Sequence, residues 1–161
     1  MKNRNLKHKD DWATPPDFLD KIRREFGSFF DPCPWQHNIE DWDGLKVEWG
    51  DVNFINPPYS LELKKEFVIN AVHRSFTGVK CIMLLPVSTS TKLFHGWVKP
   101  YSSKIDFVEG RLRFIGRNDK GQYVNYDQIQ TITKETIDYG GIEIPKFIKS
   151  SGMHDSMLVI F

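Results

Sequence analysis

The sequence predicts an α/β fold, a layered and mostly parallel sheet with antiparallel strands at one edge. Three observations predict it. Strand-like "VNFIN" and "VKCIMLLP" alternate with helix-like "LELKKEFVINAVHRSF" and "TSTKLFHGWVKPY", the pattern of right-handed crossover units. "VKCIMLLP" is apolar without alternation, which suits a strand buried on both faces of a parallel sheet. "KIDFVEG" and "RLRFIG" read as strands joined across a Glu-Gly turn, an antiparallel pair, and "SMLVIF" reads as a last strand.

Each element follows from local chemistry. Residues 1–10 are basic and polar and read as an arm, a solvated tail or an accessory to phosphate contact. "TPPDFLDKIRREFG" is the first helix: Thr14 serves as N-cap, Pro15 and Pro16 suit the first turn, and Gly27 ends it. Phe18, Leu19, Ile22 and Phe26 share its apolar face. "SFFDPC" is a short strand stopped by an acid and a proline, and residues 34–51 form a loop region rich in Trp, Asp and Gly. "VNFIN" is a strand halted by two prolines. The next helix turns Leu63, Phe67, Val68, Ala71 and Val72 inward. Residues 117–155 are polar with weak strand signals, an unusual length for a connection that has no function.

Composition narrows the class. A chain of 161 residues is expected to form one domain over 1–161, with a core that needs no disulfide or metal. The net charge of +1 gives no bulk attraction to nucleic acid, so a polyanion must meet a local patch. Cys33 and Cys81 stand apart, outside any zinc-type spacing, which favours reduced thiols and no metal. The polar start "MKNRNLKHKDDW" is not expected to be a signal peptide, and no run has the length of a membrane span. A soluble, cytoplasmic protein is the expectation.

The chemistry concentrates in "NFINPPYS". Ligands of an open α/β sheet bind at the carboxyl ends of its strands, where Asn56 falls. Pro57 and Pro58 fix the backbone and remove two donors, leaving the Asn56 side-chain oxygen and the Pro57 carbonyl as rigid acceptors. Such a pair grips an amino group carrying two N–H donors. Holding both out of the plane of a conjugated ring turns the nitrogen lone pair into a nucleophile. Tyr59 offers a face on which that flat ring stacks, worth roughly 1–3 kcal/mol per base. The plainer reading is a turn with Tyr59 as a core aromatic. Asp31, at a second strand end, suits a ligand ammonium or ribose hydroxyl, or an Asx-turn. Asp43 is a turn acid or a ligand contact, and Trp12, Trp35, Trp42 and Trp49 are core residues or platforms for an adenine ring. Ser88, Thr89, Ser90 and Thr91 line a pocket or cap a helix.

Together "DDWATPPDFLDKIRREFG", "DPC", "DGLKVEWGDVNFINPPYS", "CIMLLPVSTSTKLFHGWV", "EGRLRFIG" and "SMLVIF" resemble the phage-type DNA N6-adenine methyltransferases of the Dam family, in the family's order. The resemblance implies a Rossmann-like, S-adenosylmethionine-dependent methyltransferase sheet with an antiparallel terminal strand, acting on double-stranded DNA in the cytoplasm. It implies that Asn56, Pro57, Pro58 and Tyr59 form the catalytic grip on adenine N6. It implies that Trp12, Thr14, Pro15, Asp31, Cys33 and Asp43 meet the cofactor, Asp43 being the weaker match. In broader adenine methyltransferases a glycine turn follows the acid, whereas "DPCPWQHN" has no glycine before Gly44. Lys92, Arg111, Arg113 and Arg117 are the candidates for DNA contact, or a solvated edge face in the case of Arg111 and Arg113. Residues 117–155, longer than the family leads one to expect between its last two strands, read as a target-recognition insertion or as a loop ordered only on DNA. Two alternatives use the same residues: a methyltransferase acting on a glutamine amide in protein, and a catalytically inactive DNA-binding relative.

Overall fold

The structure is a computed structural model and describes residues 12–35, 42–117, 120, 122–124, 134–138, 141, 143–145 and 154–161. The basic arm, the side chain of Arg117 and most of 117–155 lie outside the described residues.

The elements run α1 (Pro16–Phe26), β1 (Val52–Ile55), α2 (Leu61–Ser75), β2 (Lys80–Pro86), a π-helical turn (Phe94–Val98) leading into α3 (Lys99–Tyr101), β3 (Lys104–Phe107), β4 (Gly116–Arg117), β5 (Tyr123–Val124), β6 (Thr136–Asp138), β7 (Glu143–Pro145) and β8 (Ser156–Ile160). The main sheet has the order β1-β2-β8-β3. β1 and β2 are parallel, joined by α2 as a crossover, while β8 runs antiparallel between β2 and β3. Phe30 adds a parallel bridge to Asn53, which sets the "SFFDPC" segment beside β1. The fold is α/β with a mixed four-stranded sheet and small antiparallel pairs, β4 with β5 and β6 with β7.

Alternation along the strands divides the core. Phe54, Ile82, Leu84, Leu158 and Ile160 meet Phe18 and Ile22 of α1 on one face. Ile55, Met83, Leu85, Met157 and Val159 meet Phe67, Val68, Ala71 and Val72 of α2 on the other. All five residues of β8 are buried, as a strand covered on both faces requires. Fully burying side chains of this size stabilises by about 1.5–3 kcal/mol each.

Three expectations are corrected. "RLRFIG" does not pair with "KIDFVEG"; β3 pairs with β8, and Ile115 instead bridges Ala13. The slot beside β3 is covered on both faces, and "SMLVIF" fills it without burying a charge, whereas "RLRFIG" carries Arg111 and Arg113. Thr14 is not the N-cap of α1: Pro15 occupies that position and no side chain caps the turn. Finally, the third helix is widened to a π-turn over Phe94–Val98. Pro100 follows, with no N–H to give and a ring that crowds the carbonyl four residues back, at Gly96.

Candidate active site

β1 ends at Ile55, and Asn56 follows at the carboxyl edge of the sheet. Its Nδ2 donates to the Trp12 carbonyl at 2.9 Å and to the Thr14 hydroxyl oxygen at 3.1 Å. A carbonyl only accepts, so the amide is held one way round: both hydrogens are engaged, and Oδ1 is the group left for a ligand. Pro57 is buried beside it.

Tyr59 turns its ring edge-on to Phe114, with centroids 6.1 Å apart and planes at 77°. Its hydroxyl is fully buried with no hydrogen-bond partner among the described residues. Burial pushes the phenol well above its ordinary range, so Tyr59 is a neutral aromatic and not a base. Phe114 was not predicted for the site; its only sequence signal was an aromatic between two arginine-bearing positions.

The neighbouring strand end carries Asp31. Its Oδ1 accepts from the Cys33 N–H at 2.8 Å, an Asx-turn that shapes the corner. Burial, with Asp31 adding to it, raises the Cys33 thiol well above the usual thiol range, which keeps it protonated and unreactive. Asp43 accepts from the Leu45 N–H at 3.0 Å and pairs with Lys46 at 3.2 Å, so it builds the turn that follows. That turn is pressed onto the Asp31 corner: Trp42 Nε1 donates to the Pro32 carbonyl at 2.9 Å, and Trp49 Nε1 donates to the Gly44 carbonyl at 2.7 Å. A Cβ on Gly44 would sit 2.2 Å from the Pro32 oxygen. Gly44, the first glycine after the acid, thus lies directly against the Pro32 carbonyl, where a side chain would not fit.

Residues 12–14 form a strap across this edge. Ala13 N–H donates to the Ile115 carbonyl at 2.8 Å. Ala13, Ile115 and Ile144 form a small buried cluster against which Trp35 and Tyr123 pack, so part of the 117–155 segment reaches the strap.

Of the other candidates, Thr91 caps the helix after β2, accepting from Phe94 N–H at 3.2 Å. Ser88 and Thr91 also line a cavity of about 20 Å³ with Lys64, Leu85 and Met157, room for about one water and not for a base. Burial lowers the Lys64 ammonium there. Lys92 is exposed near the start of that helix, and Arg111, exposed, pairs with Asp155 at 3.2 Å. Among the described residues no cluster of His, Cys, Asp and Glu is suited to hold a metal ion, and no helix is long and apolar enough to cross a membrane.

The buried acids of this edge and its surroundings set a pH limit. Burial pushes the Cys81 thiol from 9.0 up to about 12, with Arg74 partly opposing it, and Cys33 and Tyr59 move the same way. A raised folded value means that the neutral form is favoured by folding. That stability is fully present below the unfolded values and is lost as pH rises through the folded ones. The melting temperature is therefore expected to hold near neutrality and to fall above about pH 9; a melting series from pH 7 to 11 checks it, and a flat profile overturns it.

The sequence profile of the DNA N-6-adenine-methyltransferase (Dam) family matches residues 2–139. No curated protein and no solved structure matches the chain. The profile runs through the strap, the Asp31 corner, the Asn-Pro-Pro-Tyr turn and the Phe114 segment, and the chain belongs to the Dam family: it is a DNA adenine-N6 methyltransferase.

Proposed function

We propose that the chain, as a single domain over 1–161, methylates N6 of an adenine flipped out of double-stranded DNA, with S-adenosylmethionine as methyl donor. One observation carries the reading: the Asn56 amide is fixed with its nitrogen spent on residues 12 and 14, so an acceptor oxygen stands at the sheet edge beside two prolines. Order and direction in the sheet, with antiparallel β8 inserted between β2 and β3, support a Rossmann-like methyltransferase arrangement.

S-adenosylmethionine supplies a methyl group on a sulfonium, a cation that leaves as a neutral thioether. The residues fit such a ligand: Asp31 brings a carboxylate to the strand end, and Trp42 packs an aromatic ring behind the corner. Asn56 Oδ1 and the Pro57 carbonyl accept from the two N6 hydrogens and turn the lone pair outward. Tyr59, neutral and braced by Phe114, stacks on the base. Flipping costs a few kcal/mol, which these contacts offset. Alignment supplies most of the acceleration, since no strong base is required. Lys92, Arg111, Arg113 and Arg117 supply phosphate contacts, and residues 117–155 act in target recognition.

The test is transfer of labelled methyl from S-adenosylmethionine to unmethylated duplex DNA, followed by nucleoside analysis. N6-methyladenosine is the expected product; label in protein, or none with the cofactor bound, overturns the reading. Asp31 has its own expected outcome. Asp31→Asn keeps an oxygen for the Cys33 N–H and removes the charge, and calorimetry is expected to find cofactor binding about tenfold weaker or worse. Unchanged affinity in that variant removes Asp31 from the cofactor site.

A further inference from the structure

The strap at residues 12–14 does more than cover the sheet edge. Nδ2 of Asn56 has two hydrogens and two acceptors, and both belong to the strap: the Trp12 carbonyl at 2.9 Å and Thr14 Oγ1 at 3.1 Å. These acceptors have different effects. The carbonyl fixes which end of the amide faces inward, because a flipped amide would set Oδ1 against another oxygen. One contact still leaves rotation about the last side-chain bond, a broad torsion in asparagine. The second contact removes that freedom and sets the plane of the amide.

The strap is itself rigid enough to set that plane. Thr14 is only 9% exposed, and Ala13 is buried and bonded to Ile115. Trp12 lies so close on Gly116 that a Cβ there would meet ring carbons at 2.9 Å. Threonine is stiff at its first torsion, so its hydroxyl stays where the backbone puts it. Donation through Nδ2 also polarises the amide and strengthens Oδ1 as an acceptor.

We propose that Thr14 is a positioning residue for methyl transfer, its hydroxyl setting the angle at which Asn56 Oδ1 meets the adenine amine. The proposal rests on the reading of Asn56 as the N6 grip. It gives Thr14 a role different from a cofactor contact, and the two make opposite predictions.

The experiment uses the full chain with Thr14→Val, Thr14→Ser, Thr14→Ala and Asn56→Ala, each assayed for labelled methyl transfer to duplex DNA and titrated with S-adenosylmethionine by calorimetry. Thr14→Val keeps the shape and loses the hydroxyl; kcat is expected to fall roughly ten- to hundredfold, with the cofactor Kd within about twofold of the parent. Thr14→Ser is expected to recover most of the loss, and Thr14→Ala replaces Thr14→Val if the latter does not fold. A weakened cofactor Kd with kcat retained makes Thr14 a ligand contact and overturns the proposal, as does an unchanged kcat. If Asn56→Ala remains active, the N6 grip itself falls; if Asn56→Ala is dead and Thr14→Val is not, only the positioning role falls.

Discussion

Asn56→Ala is expected to lower methyl transfer by about a thousandfold or more while the protein stays folded. Removing one preorganised group that acts on the reacting atom costs about 10²–10³ in rate in other enzymes. Here the loss is compounded, because the amine is left free to conjugate with its ring. The same change takes one hydrogen bond from the Trp12 carbonyl and one from the Thr14 hydroxyl, both donated by Nδ2. That costs about 1–3 kcal/mol, a fall of several degrees in melting temperature for a chain of this size. Asn56→Asp is expected to be inactive for a related reason: a carboxylate oxygen would face the Trp12 carbonyl in place of an N–H. Single-turnover transfer of labelled methyl, beside a melting curve and cofactor titration, checks all of this. Activity within tenfold of the parent would sink the grip.

Gly44→Ala is expected to be the most destabilising single methyl addition among the glycines whose surroundings the structure describes. The new Cβ would stand 2.2 Å from the Pro32 oxygen and 3.1 Å from the ring of Phe67. A backbone carbonyl at a proline corner has nowhere to go, so the turn carrying Gly44 must lift away. Lifting it strains the Trp42 bond to Pro32 and the Trp49 bond to Gly44, both at or below 2.9 Å. Overpacking of this kind costs about 1–3 kcal/mol and the strained hydrogen bonds add to it. A total of about 3 kcal/mol, at roughly 2–4 °C per kcal/mol, gives a melting temperature about 6–12 °C lower, with weaker cofactor binding expected because the Asp31 corner moves too. Gly27→Ala is the control. Nothing lies within 4 Å of its added Cβ, and only the φ of +78° opposes the change, so it is expected to cost about 1 kcal/mol. Equal melting temperatures for the two variants would show that the Gly44 approach is not tight in solution.

What the sequence made legible was whatever depends on local spacing. α1 and α2 show their buried faces as three- and four-residue intervals, and β2 shows its double burial as an unbroken apolar run. Asn56 at a strand end followed from proline chemistry alone. The contacts of Thr14 did not, because its partner lies 42 residues away and a Thr before Pro-Pro looks like an ordinary helix start. Gly44 was hidden for the same reason: its importance comes from Pro32, with which it shares no pattern. "RLRFIG" looked like a hairpin partner for "KIDFVEG" because nearness in sequence favours it. Double burial beside β3 decided for "SMLVIF", and no window of adjacent residues contains that competition.

The place of β8 has a consequence for synthesis. Ribosomes deliver β2 and β3 long before residues 156–160, yet Ile82 and Lys104 both find their partner in Ile160. Until that strand emerges, the nascent sheet has a gap at its centre, flanked by two unpaired backbone edges of the kind that recruit other chains. Translation halted before residue 156 therefore leaves an aggregation-prone intermediate and not a weaker enzyme, and activity appears only after the whole sheet has been made.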